Sequence, residues 1–143
     1  MTHEGLELLK GVDYDVVYPA GRKAVGKYTV SVKLKGRFAG SGSARFTIKP
    51  ATASVKSLTA GKRTLKVAAS CRPSAKGAAA YKIAYRLKGS KTWKYVSTTA
   101  QSKVIKSLKK GRQYYVKVRA YKKVGGVTHY GSWSKTKLSK KVK

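Results

Sequence analysis

The carboxylates of this chain lie within its first fifteen residues: Glu4, Glu7, Asp13 and Asp15 are the only four acids among 143 residues. Carboxylates supply most general bases, the ligands of hard metal ions and the catalytic pairs of glycosidases. Because the chain after Asp15 lacks them, that part of the sequence excludes most hydrolytic and metal-dependent chemistry. We expect a protein that is not an enzyme.

Two other residues could do chemistry. Cys71, the single cysteine, could be a reactive thiol activated by the neighbouring Arg72. We expect instead a small core residue at the end of a strand. His129 has no second His, Cys or carboxylate close by in the sequence, so we expect it to bind no metal. The sequence predicts no metal and no cofactor.

The basic residues are spread along the whole chain. All but one of the 34 Lys and Arg residues follow Asp15, and the formal net charge is +30. Such a field attracts polyanions: nucleic acid, an anionic wall polymer or an acidic lipid surface. The charge predicts the kind of molecule that would bind and leaves its identity open.

Alternation of apolar and polar residues with a period of two dominates the chain and predicts β-strands with one buried face. Gly-rich turn signals separate the strands, so we predict an all-β fold with a domain boundary at Pro50. The predicted strands are about 14–18, 27–35 and 43–48 in the first module, then 52–58, 64–71, 81–88, 92–97, 103–107, 113–121 and 132–139 in the second. No apolar run is long enough to span a membrane.

Residues 51–143 resemble a fibronectin type III domain. The likeness rests on Leu108, Gly111, Tyr114 and the alternating Val116, Val118 and Ala120, with further matches at 81–86, 90–96 and 130–135. The resemblance implies a seven-stranded antiparallel sandwich in which the Tyr114 hydroxyl bonds to upstream backbone. That family usually has a core Trp where this chain has Ala69 or Cys71. We expect Trp93 or the 78–80 segment to fill the space.

Within the predicted first module, 1–50, residues 4–49 are similar to the latter part of a bacterial immunoglobulin-like surface repeat, and the first strands of the repeat are missing. The likeness is carried by stretches 8–18, 25–30, 36–40 and 46–48. The resemblance implies a partial β module in an exported bacterial protein, so we expect an extracellular or cell-surface location. Its open strand edges predict self-association through residues 4–49.

A basic face is the candidate binding site. Outward positions of three predicted strands combine cations with aromatic rings, as a polyanion or glycan surface requires. These positions are Lys82, Arg86, Lys117, Arg119, Lys135 and Lys137, with Tyr115 and Tyr121. The alternative is an ordinary solvated sheet face. Trp93 and Trp133 could stack on sugars, although we expect partly buried packing residues.

The sequence therefore predicts a non-catalytic module that spaces or presents other domains in a larger modular protein. The alternative is retention on an anionic cell-wall polymer or polysaccharide through the basic face. Non-specific binding of nucleic acid is a further alternative. Adhesion through an Arg-Gly-Asp motif in the hairpin at 122–130 is not supported, because no Asp follows Asp15.

Overall fold

The computed structural model describes residues 2–21, 23–71 and 80–143. Two compact units divide the chain, Met1–Ile48 and Lys49–Lys143, next to the predicted boundary at Pro50. All named strand pairs in the described ranges are antiparallel, and these ranges contain no helix. The predicted all-β fold is confirmed. Within the same ranges, no helix is long and apolar enough to cross a membrane.

The first unit contains a small hairpin and a three-stranded sheet in the order β3-β4-β5. Its strands are β1 (Thr2–His3), β2 (Leu6–Glu7), β3 (Tyr14–Val17), β4 (Gly26–Leu34) and β5 (Ser41–Ile48). The last three fall where the alternation predicts them. Lys35 forms a 2.6 Å ion pair with Asp15, which links the end of β4 to β3.

One face of this sheet is apolar but poorly covered. The register places Val16 beside Val32 and Tyr28 beside Phe46, whose rings stack at 5.6 Å. These side chains are only half-buried. Leu8 and Val25 are the buried apolar residues of the described part of the unit. The first unit therefore has a small core.

We expect amide hydrogen exchange to be faster in β4 than in the strand Tyr114–Val124 of the second unit, β11. Protection reflects the free energy of local opening, which is low where few apolar side chains are buried. Exchange followed by NMR or mass spectrometry in a verified monomer measures this difference. Equal protection of the two strands would contradict it, and protection of β4 that rises with protein concentration would indicate edge pairing between copies.

The second unit contains two sheets. One has the order β10-β7-β6, and the other has the order β12-β11-β8-β9 with β13 beside β11. The strands are β6 (Ala53–Gly61), β7 (Thr64–Cys71), β8 (Ala80–Leu87), β9 (Lys94–Thr98), β10 (Ser102–Ile105), β11 (Tyr114–Val124), β12 (Val127–Tyr130) and β13 (Lys137–Leu138).

The inward positions of both sheets form one core. Leu65 and Val67 of β7 are fully buried, as are Ile83 of β8 and Val116 and Val118 of β11. Alternation along each strand produces this result, because successive side chains point to opposite faces. A two-layer sandwich follows.

The family's missing core tryptophan is not replaced by Trp93. That ring lies on the outer face of the sheet, against Arg86 and Lys117, so the expectation is wrong. Tyr81 and Tyr114 are the large aromatic members of the buried core cluster. The side chain of Cys71 and residues 72–79 lie outside the described part of the chain, and with them most of the 78–80 alternative.

Tyr114 occupies the predicted corner position. Its hydroxyl accepts a hydrogen bond from the Lys109 amide at 2.9 Å, and its side chain is buried together with Leu108. The buried ring fixes the start of β11, and the hydrogen bond fixes the turn before it. The corner prediction is confirmed.

Replacing Tyr114 with Phe should lower the free energy of unfolding by about 1 to 2 kcal/mol, because the Lys109 amide loses its acceptor in a partly buried position. Thermal unfolding followed by tryptophan fluorescence measures the effect, since both tryptophans lie in the second unit. Tyr95→Phe is the control, because the Tyr95 side chain is exposed. Equal stability of the two variants would argue against a role for the hydrogen bond.

The last predicted strand, 132–139, is interrupted. Within this segment only Lys137–Leu138 forms a regular β-pairing with β11. On either side of that pairing, serine hydroxyls replace backbone carbonyls as the acceptors for amides of β11. Ser134 Oγ accepts from the Val118 amide and Ser139 Oγ from the Tyr114 amide, both at 3.0 Å. Where a hydroxyl takes the place of a backbone acceptor, the regular inward and outward alternation of side chains is broken.

Ser107 has a φ of 59°, in the left-handed region that favours glycine. Ser107→Gly should therefore raise the free energy of unfolding by about 1 kcal/mol, since a side chain costs roughly 1–2 kcal/mol in this conformation. Ser97→Gly in β9, where φ is not positive, should lower stability instead. Denaturant titration of both variants tests the pair. A destabilised Ser107→Gly would contradict the prediction.

Candidate functional site: a cation–aromatic ladder

The pairing of β8 with β11 brings the predicted bases together on the outer face of the larger sheet. Arg119 lies opposite Lys82, and Tyr115 lies opposite Arg86. Lys117 lies opposite Ala84. Directly paired residues project to the same side of a sheet, so these side chains share one surface.

Each of the four bases contacts two aromatic rings. The Arg86 guanidinium carbon lies 5.2 Å from the ring centre of Tyr115 and 4.8 Å from that of Trp93. The Lys117 amino nitrogen lies 4.5 Å from Trp93 and 4.9 Å from Trp133. All four distances are within the range of cation–π attraction.

The same pattern continues across the sheet. The Arg119 guanidinium carbon lies 4.4 Å from Trp133 and 3.8 Å from Tyr130. The Lys82 nitrogen lies 5.6 Å from Tyr130 and 5.4 Å from Tyr95. We call this alternating series the ladder. In order of contact its members are Tyr115, Arg86, Trp93, Lys117, Trp133, Arg119, Tyr130, Lys82 and Tyr95.

The ladder is packed onto the sheet. Its four bases are half-buried, and Ala84 beneath them is 0% exposed although it lies on the outer face. The Nε atoms of Arg86 and Arg119 are buried without a hydrogen-bond partner among the described residues. The guanidinium planes are therefore held chiefly by ring faces.

The rings take the place that carboxylates have in most proteins. The second unit contains no Asp or Glu, so no carboxylate side chain within the unit is available to its bases. The negative face of an aromatic quadrupole attracts a cation without neutralising it. The ladder consequently retains four full positive charges in fixed positions.

One predicted member of the basic face, Lys137, lies elsewhere. Lys137 pairs with the buried Val116, so by register it belongs to the inner side of the sheet. With Lys135 it lines an open cleft against residues 51–55 of the sheet edge. Lys137 is therefore corrected: it is not on the ladder face. No strand pairing fixes the side of Lys135, so its place on the basic face stays a prediction. Tyr121 is on that face, where its ring lies 5.7 Å from Tyr130.

Most of the aromatic partners of the four bases were not predicted from the sequence. Tyr95 follows from alternation in β9, because its neighbour Val96 packs on the core. Trp93, Tyr130 and Trp133 flank the paired segments, where alternation gives no guidance. Both tryptophans are half-buried, as expected. Each already has two cations within 5 Å of its ring centre, so little of either ring is left for a sugar to stack on.

The remaining candidate residues do not join this surface. His129 is buried in β12, opposite Lys122 on the other side of the sheet. Among the described residues, no cluster of three or more His, Cys, Asp or Glu side chains could hold a metal ion. The Cys71 side chain lies outside the described residues.

Comparison with known proteins yields a likeness of fold. No family model matches the sequence, and no curated protein matches it. One similar solved structure is described as a myokine structure and is a fibronectin type III protein. It has 18% sequence identity and a TM-score of 0.50, and the match covers 66% of this chain and 97% of that one. At this identity the likeness shows the fold alone, and that fold is an all-β, fibronectin type III-like sandwich.

Proposed function

We propose that this chain is a non-catalytic structural module that spaces or presents other domains of a larger modular protein. One observation carries the proposal: the backbone begins and ends at opposite ends of the second sandwich. Its first strand starts at Ala53, paired with Cys71. At the far end of that strand, the Lys143 amide donates to the Gly61 carbonyl at 3.0 Å, and Arg63 donates to Lys143 at 2.8 Å.

This arrangement sets the two ends well apart. The strand β6 between them has nine residues, and the eight steps from the first to the last span about 26 Å at roughly 3.3 Å per step. Domains attached before and after such a sandwich are held apart by its length. Folded sandwiches connected in series therefore extend a protein without needing a ligand of their own.

The extracellular setting is part of the proposal. It is supported by the resemblance of residues 1–50 to a truncated bacterial immunoglobulin-like surface repeat. Together with the fibronectin type III-like fold, that resemblance favours a secreted or surface-attached bacterial protein.

Replacement of residues 51–143 tests the spacer role in the full-length protein. We expect an unrelated fibronectin type III sandwich of similar length to preserve the reach and activity of the flanking domains, and we expect deletion to impair them. A replacement as damaging as the deletion would show that this particular sequence carries the function.

The ladder favours a second candidate function, retention on an anionic cell-wall polymer or polysaccharide. Its four cations are held by rings, so less side-chain entropy is lost when an anion binds them. Nucleic acid would bind by the same charge attraction through its phosphates, and phosphate contacts carry no sequence information.

Salt-dependent retention on purified wall polymer, with duplex DNA as a second anion, tests this candidate. Affinity should fall linearly with the logarithm of salt, with a slope for DNA of about −0.9 per phosphate neutralised. Lys82→Gln and Lys117→Gln should weaken retention more than Lys66→Gln and Lys103→Gln, which remove exposed charges from the opposite sheet. Equal losses would show that net charge, and not the ladder face, attracts the polymer.

A further inference from the structure

A second group of cations surrounds a cleft of about 370 Å³ in the second unit. The cleft lies between the end of β8, the start of β9 and the connection from β10 to β11. Tyr85 and Tyr114 line it, with ring centres 6.5 Å apart. It therefore has an aromatic wall that continues into the core.

Four basic residues from three parts of the chain line this cleft: Arg86, Lys94, Lys106 and Lys109. The unit has no acid to compensate them. Like charges that converge on a concave, weakly polarisable wall focus the electrostatic potential and raise the local concentration of anions. An anion in the cleft would relieve their mutual repulsion.

Arg86 is already fixed in position. Its Nη1 donates to the Ser90 carbonyl at 3.0 Å, while its guanidinium contacts the rings of Trp93 and Tyr115. A guanidinium offers five N–H donors, so further donors remain for a ligand. The three lysines are exposed and free to adjust around it.

Neutral donors also line the cleft. The Ser90 hydroxyl oxygen accepts from the Thr92 amide at 3.2 Å, and the Tyr114 hydroxyl oxygen accepts from the Lys109 amide. Each hydroxyl can still donate its own proton, because a hydroxyl has one donor in addition to two acceptor sites. Hydroxyl and cationic donors together suit a group with several anionic oxygens.

We propose that this cleft is a binding site for a single phosphate or carboxylate group carried by a small ligand or by the end of a polymer. The proposal goes beyond the spacer role and does not depend on it. It is also distinct from polymer retention, since one anionic group occupies a cleft instead of a chain lying along the ladder. Arg86 alone belongs to both sites.

Titration of the full ¹⁵N-labelled chain with inorganic phosphate, and separately with acetate, tests the proposal. Sodium chloride keeps the ionic strength constant, so general screening does not change. We expect saturable chemical-shift changes at Lys94, at 106–109 and at Ser90 and Thr92. Saturation with only one of the two probes identifies the anion class. Weak shifts without saturation, spread over the surface lysines, would overturn the proposal.

Paired substitutions locate the site. Lys106→Gln combined with Lys109→Gln should weaken binding roughly threefold to fivefold for each lysine removed, as expected for partly exposed ion pairs. Lys56→Gln combined with Lys123→Gln makes the same charge change on exposed residues that do not line the cleft and should leave affinity unchanged. Lys117→Gln, which alters the ladder alone, should also leave it unchanged. Equal weakening by all three variants would overturn the assignment.

Discussion

Gly131→Ala is expected to lower the free energy of unfolding of the second unit by about 2 to 3 kcal/mol, the upper part of the range for overpacking. A Cβ atom at this position would lie 2.7 Å from the Pro50 carbonyl oxygen and 3.0 Å from that of Ala51. Both obstacles are backbone atoms, so no side chain can rotate away. The glycine is needed for close approach, because its φ is not in the left-handed region.

Thermal and denaturant unfolding followed by tryptophan fluorescence would measure this effect. Gly42→Ala is the matched control, since a Cβ there meets nothing within 4 Å and its φ is ordinary. Gly42 lies in the first unit, so that substitution should leave the tryptophan transition unchanged. A Gly131→Ala protein as stable as the parent would show that the backbone at Pro50 does not hold the position described.

Alternation alone was sufficient to predict most of the sandwich. The burial of residues such as Val116 and Val118 can be predicted because every second position of the strand is apolar. The corner was predicted from the resemblance to a fibronectin type III domain that Leu108, Gly111 and Tyr114 carry, and its hydrogen bond is local. These features depend on residues close together in sequence, and local patterns record them directly.

Residues 132–139 were harder to predict, because two serine hydroxyls accept hydrogen bonds that backbone carbonyls accept in a regular strand. The alternation of Lys135 and Lys137 predicts one outward face of one strand that begins near Trp133. In the structure Trp133 lies on the outer face, whereas Lys137 pairs with the inward Val116. Hydroxyl acceptors at Ser134 and Ser139 interrupt the regular backbone pairing with β11. No periodic pattern in the sequence predicts which serine will do this.

The composition of the ladder was partly predictable. Its four bases follow from alternation on two long strands, but their environment does not. A predicted outward Lys or Arg is expected to be solvated, and here each is half-buried between rings from other segments. The absence of acids after Asp15 was the available signal, because bases without carboxylate partners favour aromatic faces when they are desolvated.

Removing the charge of Arg119 should therefore lower the free energy of unfolding, whereas removing a charge elsewhere should not. In a chain of net charge +30, loss of a typical surface cation lowers self-repulsion and should leave stability unchanged or raise it. Arg119→Gln should instead lower the free energy of unfolding by about 2 to 3 kcal/mol, because two cation–π contacts and a packed aliphatic stem are lost. The contacts at 3.8 Å to Tyr130 and 4.4 Å to Trp133 carry this expectation.

Lys66→Gln on the opposite sheet is the control for net charge, because its side chain is exposed. Arg119→Lys is the control for the cation, and it should recover part of the loss, since an ammonium retains the charge but not the planar stacking surface. Unfolding measured across a range of salt completes the test. Added salt should raise the stability of every variant by screening repulsion, while the deficit of Arg119→Gln persists, since a half-buried contact is screened less than exposed charges are. If Arg119→Gln and Lys66→Gln shift stability in the same direction and by the same amount, the ladder does not stabilise the sandwich, and its rings and cations are merely neighbours.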